Sequence, residues 1–152
     1  MAFFKKKAKF IMPCEGEIID LASVNDAVFS SGTMGPGFAI TPIKGILYAP
    51  ANASIDAIFP TKHAIGMTLQ DGVEVLLHIG IDTVNLKGEG FSSYVHNGSK
   101  VKQGDKLVEF DLPFLLSKDI DPTIMVLFTN KKQVEVQNNS YNEKSEININ
   151  IQ

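Results

Sequence analysis

Two histidines and one turn carry the chemical information in this chain. Histidines stand at positions 63, 78 and 96, and cysteine occurs once, at Cys14. Between His63 and His78 lies Asp71-Gly72, flanked by apolar runs. That dipeptide is a strong hairpin signal, because both residues tolerate the positive φ of a tight turn. With Asp71-Gly72 as a two-residue loop, Ile65 pairs with His78 and His63 with Gly80. His63 and His78 then share a face as diagonal neighbours, their α-carbons roughly 7–8 Å apart or less. A three-residue loop slips the register and breaks this arrangement. In the two-residue register Ile65, Met67, Leu69 and Leu76 surround the pair, and Val73, Val75, Leu77 and Ile79 take the other face. Gly80 leaves the backbone open for a group approaching His78, and Asp82 and Thr83 add a charge and a hydroxyl at the rim.

Repulsion between two imidazoles and partial burial both lower their pKa, so at least one ring is neutral near pH 7. A neutral ring is a nucleophile and a metal ligand. His63 and His78 alone make only a weak metal site, since zinc takes three or four protein ligands. Glu74, about 13 Å away along the strand, does not complete one. Nucleophilic or phosphoryl chemistry is therefore preferred. Lys62 is read as an outward, solvated strand residue, His96 as a surface-loop residue and Cys14 as a small packing residue.

The elements that must position these residues are short and β-rich. Strands are expected at Glu15–Leu21, Phe38–Pro42, Gly45–Ala49, Ser54–Phe59, His63–Leu69, Val73–Ile79, Lys106–Asp111, Thr123–Phe128, Lys132–Val136 and Ser145–Ile151. Only Pro113–Lys118 reads as helix, and Asn138–Lys144 reads as a polar loop. The expected fold is all-β, an antiparallel sandwich or barrel-like structure with minimal helix. A duplicated β-motif is suggested by the shared P-x-x-G-x-aliphatic pattern of Pro13–Ile18 and Pro42–Leu47. Residues 11–152 are read as one domain, preceded by a flexible basic tail at residues 1–10.

Composition narrows the function. The chain has 152 residues and a formal net charge of −3, and all 14 of its basic residues are lysine. Four of those lysines fall in the first nine residues, which leaves ten against seventeen acidic residues, a charge of −7, for the rest. An acidic, arginine-free chain has neither the basic surface nor the arginine forks of a duplex reader, so no nucleic acid is expected. One cysteine excludes an internal disulfide and thiolate-rich zinc or iron–sulfur chemistry. No apolar run approaches the ~20 residues of a membrane span. A cytoplasmic monomer without cofactor or membrane insertion is expected.

The run His78-Ile79-Gly80-Ile81-Asp82-Thr83-Val84, continued by Leu86-Lys87-Gly88-Glu89-Gly90-Phe91 and preceded by Thr61-x-His63-Ala64, is specific. It resembles the glucose-type enzyme IIA family of the bacterial phosphoenolpyruvate-dependent sugar phosphotransferase system. The likeness continues through Gly104-Asp105 and Glu109–Pro113. The resemblance implies an antiparallel β-sandwich and a phosphocarrier role. His78 would be the nucleophile that takes a phosphoryl group from phosphohistidine HPr and passes it to a cysteine on the IIB domain of a membrane sugar permease. His63 would hydrogen-bond the phosphate, with Thr61 orienting its ring. Asp26 and Asp82 would be acidic contacts for HPr, and Phe29, Phe59 and Leu76 apolar docking positions. Backbone amides at Gly80–Asp82 are further candidates for holding phosphate.

Two other readings stand beside this one. A zinc-dependent hydrolase of related β-architecture would need His63, His78 and a third ligand. A regulatory module would use the same patch to dock target proteins according to phosphorylation.

Overall fold

The computed structural model describes residues 9–152. The lysines at positions 5–7 lie outside the described residues, but Phe10, which the charge pattern groups with the tail, belongs to the fold. Phe10–Ile11 is a strand paired with Glu146–Ile147, and the Phe10 ring is fully buried.

Alternating or continuous apolar runs become strands, and all the pairings among the described residues are antiparallel. The largest sheet has eight strands, in the order Ser140–Tyr141, Gly16–Asp20, Gly37–Pro42, Ile124–Phe128, Glu74–Ile79, Ala64–Leu69, Ala53–Ile58 and Lys100–Val101. A three-stranded sheet of Ile46–Tyr48, Lys106–Phe110 and Phe91–Ser93 packs against it. Between them lies the main core, where Phe38, Val126, Leu77 and Ile65 of the large sheet meet Leu47 and Leu107 of the small one. Two small ladders close the ends: Phe10–Ile11 with Glu146–Ile147, and Val134–Val136 with Ile149–Ile151.

The expected strands all appear, with ends shifted by one or two residues, and Ser145–Ile151 divides into Glu146–Ile147 and Ile149–Ile151. Four very short strands (Phe10–Ile11, Phe91–Ser93, Lys100–Val101 and Ser140–Tyr141) escape the pattern, the last inside the expected loop. The two Pro-x-x-Gly segments lie side by side. Ile43 N–H donates to the Glu15 carbonyl at 3.0 Å, and Tyr48 N–H to the Pro13 carbonyl at 2.7 Å. Gly16 and Gly45 fill equivalent positions: a Cβ at either would overlap a neighbouring strand's carbonyl, of Thr41 and Phe110 respectively. The expected helix is present as Leu112–Ser117, capped by Asp111, whose carboxylate accepts from Phe114 N–H at 3.0 Å.

The outer face of the large sheet carries a second, smaller core. Ala39, Met125 and Leu127 from the strands are covered by Leu21, Val24 and Phe29. Leu21 comes from a short 3-10 turn, Leu21–Ser23, which Val24 ends as its C-cap, and Phe29 from a single-turn helix, Ala27–Ser30. The helix starts at Asp26, whose carboxylate accepts from Val28 N–H at 2.9 Å. Neither piece was expected from the sequence, because a four-residue helix is too short to show a period.

Candidate functional site

The hairpin between the two histidines differs from its expected form. Gly72 N–H donates to the Leu69 carbonyl at 3.0 Å, and Leu69 N–H to Val73 at 2.8 Å. The loop therefore has three residues, Gln70–Gly72, and only Gly72, at φ +89°, adopts the left-handed backbone. Asp71 retains negative φ, so this is the turn-plus-bulge hairpin instead of the two-residue one. The register slips by one: Ala64, not Ile65, stands opposite His78. Ile65, Met67 and Leu69 accordingly face the main core together with Val73, Val75, Leu77 and Ile79. Leu76 and His78 face the smaller core on the outer side.

Strict alternation in this register would turn His63 away from His78. The two rings nevertheless meet edge to face, with centroids 4.9 Å apart. His63 precedes the regular strand and follows a turn in which Lys62 N–H donates to the Phe59 carbonyl at 2.7 Å and Lys62 itself sits at φ +62°. The pleat does not extend through that turn, so His63 escapes the alternation. Lys62 is thus a turn residue, not an outward strand residue.

Three neighbours fix the two rings. Thr61 Oγ1 lies 2.6 Å from His63 Nδ1. Phe59 meets the His63 ring with centroids 5.4 Å apart, and Phe29 meets the His78 ring at 4.8 Å. His63 is 3% exposed, while His78 is half-buried with its Nδ1 shielded from solvent. Burial is the main cause that lowers the His78 pKa, to about 4, and the neighbouring His63 adds to it. The backbone of Gly80 and the Asp26 carboxylate act in the opposite direction without reversing the shift. Burial also lowers the His63 pKa. Both rings are neutral at physiological pH.

The segment after His78 has a different purpose from the one its glycine suggests. Gly80 is not an opening but a fitted bend at φ +75°, where a Cβ would come within 2.5 Å of Thr83 Cγ2 and 3.2 Å of the Asp121 carbonyl. Its N–H donates to the Thr123 carbonyl at 2.8 Å, and Ile81 N–H to the Asp121 carbonyl at 2.9 Å. Those two amides are occupied, which removes them as phosphate donors. Asp82 is exposed and adopts φ +58° at the start of the 3-10 turn Thr83–Leu86.

Of the apolar docking candidates, Phe59 is 45% exposed, Leu76 is half-buried and Phe29 is only 7% exposed. Phe29 is first a wall of the His78 pocket. Sequence reasoning missed two exposed apolar residues beside these elements, Val28 on the capped helix and Val84 in the 3-10 turn. The remaining singled-out residues lie elsewhere. His96 is exposed, with Nδ1 3.0 Å from the Asn97 carbonyl, and Cys14 is buried, its thiol pushed up to about 12 mainly by desolvation.

Comparison with known proteins decides the family. Residues 8–134 match the model of the phosphoenolpyruvate-dependent sugar phosphotransferase system, EIIA 1. The chain belongs to that family. A glucose-specific EIIA component of Mycoplasma capricolum is 45% identical over 130 residues, covering 86% of this chain and 84% of that protein. A glucosamine-specific EIICBA component of Bacillus subtilis is 47% identical over 128 residues, but the chain spans only 20% of its length. The solved glucose permease IIA of Mycoplasma capricolum superposes with a TM-score of 0.87 at 39% identity, covering 98% of this chain and 99% of that one. This EIIA protein is all-β, like that neighbour, and is a component of a sugar phosphotransferase system. The zinc hydrolase reading is set aside. The relatives are sugar-system components, and among the described residues no group of three His, Cys, Asp or Glu is placed to hold a metal. No helix among the described residues is long and apolar enough to cross a membrane.

Proposed function

We propose that this EIIA protein is a phosphocarrier in which His78 Nε2 receives and releases the phosphoryl group. The observation that carries this reading is the contact between two neutral imidazoles, one with its Nδ1 shielded and the other with its Nδ1 engaged by Thr61. Shielding of Nδ1 leaves Nε2 as the accessible nitrogen of His78. For Nε2 to attack, the proton must sit on Nδ1.

Transfer is in line. The Nε2 lone pair forms a bond to phosphorus as the P–N bond of phosphohistidine HPr breaks, and the donor imidazole departs with that electron pair. In the second half, a cysteine thiolate of a IIB domain attacks the same phosphorus and His78 leaves as neutral imidazole. In this reading the Thr61 hydroxyl, 2.6 Å from His63 Nδ1, is the donor, so the His63 proton sits on Nε2 and that nitrogen donates toward a phosphate on its neighbour. Asp26 and Asp82 supply negative charge toward a basic carrier, and Phe59, Val28 and Leu76 supply apolar contact. HPr and the IIB domain place the exchange on the cytoplasmic face of a permease. A charge change of about −1.5 to −2 on this apolar face also suits phosphorylation-dependent docking of target proteins.

Incubation with enzyme I, HPr and phosphoenolpyruvate is expected to give one acid-labile phosphate per chain, on His78. A full equivalent on His78→Ala protein would refute the assignment. His63→Gln is expected to accept phosphate from HPr but to pass it on poorly.

A further inference from the structure

The bend that follows His78 is held from a distant part of the chain. Gly80 N–H and Ile81 N–H both donate into Asp121–Thr123, to the Thr123 and Asp121 carbonyls at 2.8 and 2.9 Å. That receiving segment is itself locked. The Asp121 carboxylate accepts from Thr123 N–H at 3.0 Å and from the Thr123 hydroxyl at 2.6 Å through the same oxygen. On the other side of the bend Thr83, fully buried, donates its hydroxyl to the Ile79 carbonyl and lays its methyl against Gly80. A buried hydroxyl held this way is costly to leave unpaired, so both contacts resist rearrangement.

We propose that Asp121 and Thr123, with Thr83, are positioning residues for His78: they clamp the Gly80–Ile81 bend and so fix the ring that Gly80 backs. The argument is geometric. His78 is the last but one residue of its strand, opposite Met125 on one side and Ala64 on the other. Its ring is walled by Phe29 and His63, and its shielded Nδ1 has no hydrogen-bond partner among the described residues. The Gly80–Ile81 backbone follows the strand directly in the chain, so its path governs where the end of the strand holds His78. If the bend moves, the preferred site of the proton on the ring and the direction of Nε2 move with it. Displacement of a reacting atom by about 1 Å costs on the order of 100-fold in rate.

The proposal rests on the phosphocarrier reading, and its test separates the two. Asp121→Ala, Asp121→Asn and Thr83→Val would be compared with the unaltered protein in two measurements. One is the rate of phosphoryl uptake from phosphorylated HPr, and the other is the NMR titration of the His78 imidazole nitrogens. Asp121→Ala is expected to lower kcat about tenfold or more with KM for HPr unchanged, and to lower the His78 pKa further as the Gly80 backbone, which raises it, draws away. Asp121→Asn keeps an acceptor oxygen for Thr123 and is expected to restore both. Thr83→Val keeps the shape but removes the hydroxyl, and should act in the same direction as Asp121→Ala. It decides the matter if Asp121→Ala does not fold. Folded variants whose His78 titration is unchanged, or rises as plain loss of burial would make it, would overturn the clamp, whether or not their rates fall. An unaltered protein that takes up no phosphate would instead refute the phosphocarrier reading, and the titrations would still test the clamp.

Discussion

At the scale of the residue, the unusual property of this site is an imidazole kept neutral far below its ordinary range. The His78 pKa falls from 6.5 to about 4, chiefly by burial against Phe29 and His63. Phosphoryl acceptance needs the neutral ring, so the uptake rate should stay level from pH 8 to below pH 6 and fall only toward pH 4. An exposed histidine would already be half-protonated near pH 6.5. The linked effect on stability has a definite sign. The unfolded chain takes up the proton first, so between about pH 6.5 and 4 the fold loses stability as pH drops, and above that window the contribution is fully present. His63→Gln should raise the His78 pKa, because one lowering influence is lost, yet leave it below 6.5, because desolvation is the larger cause. NMR titration of the His78 ring protons in both proteins checks this; a His63→Gln value at 6.5 would show that burial had been overrated.

At the scale of the element, Asp26 serves two roles that substitution can separate. Its carboxylate caps the single-turn helix that carries Phe29, and it also sits close enough to His78 to influence its charge. Asp26→Ala removes cap and charge together and should cost about 1 kcal/mol, with faster amide exchange over residues 27–30. Asp26→Asn keeps the cap, so exchange there should match the unaltered protein while the salt dependence of uptake from HPr weakens. Equal exchange in both variants would show that the helix does not depend on its cap. This helix also marks a limit of sequence reading. Short apolar runs bounded by turn residues were enough to find strands such as Glu74–Ile79, and a specific motif marked the site around His78, because both signals survive in short runs. A four-residue helix has no period, and two-residue strands such as Lys100–Val101 exist only through their partners. The hairpin shows how a local misreading can be harmless. Asp71-Gly72 does mark the turn, but Gln70 joins the loop and shifts every pair by one. The histidines still meet, because the turn at Lys62 lies outside the pleat that the shifted register governs. The fitted role of Gly80 was not readable in advance, since its partners Asp121 and Thr123 are brought to it only by the fold.

At the scale of the whole molecule, the part that matches the family and the part that folds are not the same. The family match ends at residue 134, yet Ile147 and Ile149 beyond it are 3% and 2% exposed and belong to the main core. Ile147 stands opposite Phe10, whose ring packs against Phe38 and Phe128 under the large sheet. Ile149 stands opposite Val136, and Ser140–Tyr141 adds an edge strand beside Gly16–Asp20. The last eighteen residues therefore join the first described strand, Phe10–Ile11, in one core. Removing two buried isoleucines forfeits about 3–6 kcal/mol of burial, at 1.5–3 kcal/mol for each. Small domains have a net stability of only about 5–15 kcal/mol. A chain ended after Val134 should therefore lose most of its stability although it retains His63, His78, the Gly80 bend and every motif of the site. Thermal denaturation followed by circular dichroism checks this. An unaltered midpoint in the shortened protein would mean that the family segment folds by itself and that the C-terminal strands only cover it. The physical argument runs the other way, because loss of Ile147 and Ile149 would uncover Phe10 and open the edge of the core on which the sheet beneath His78 rests.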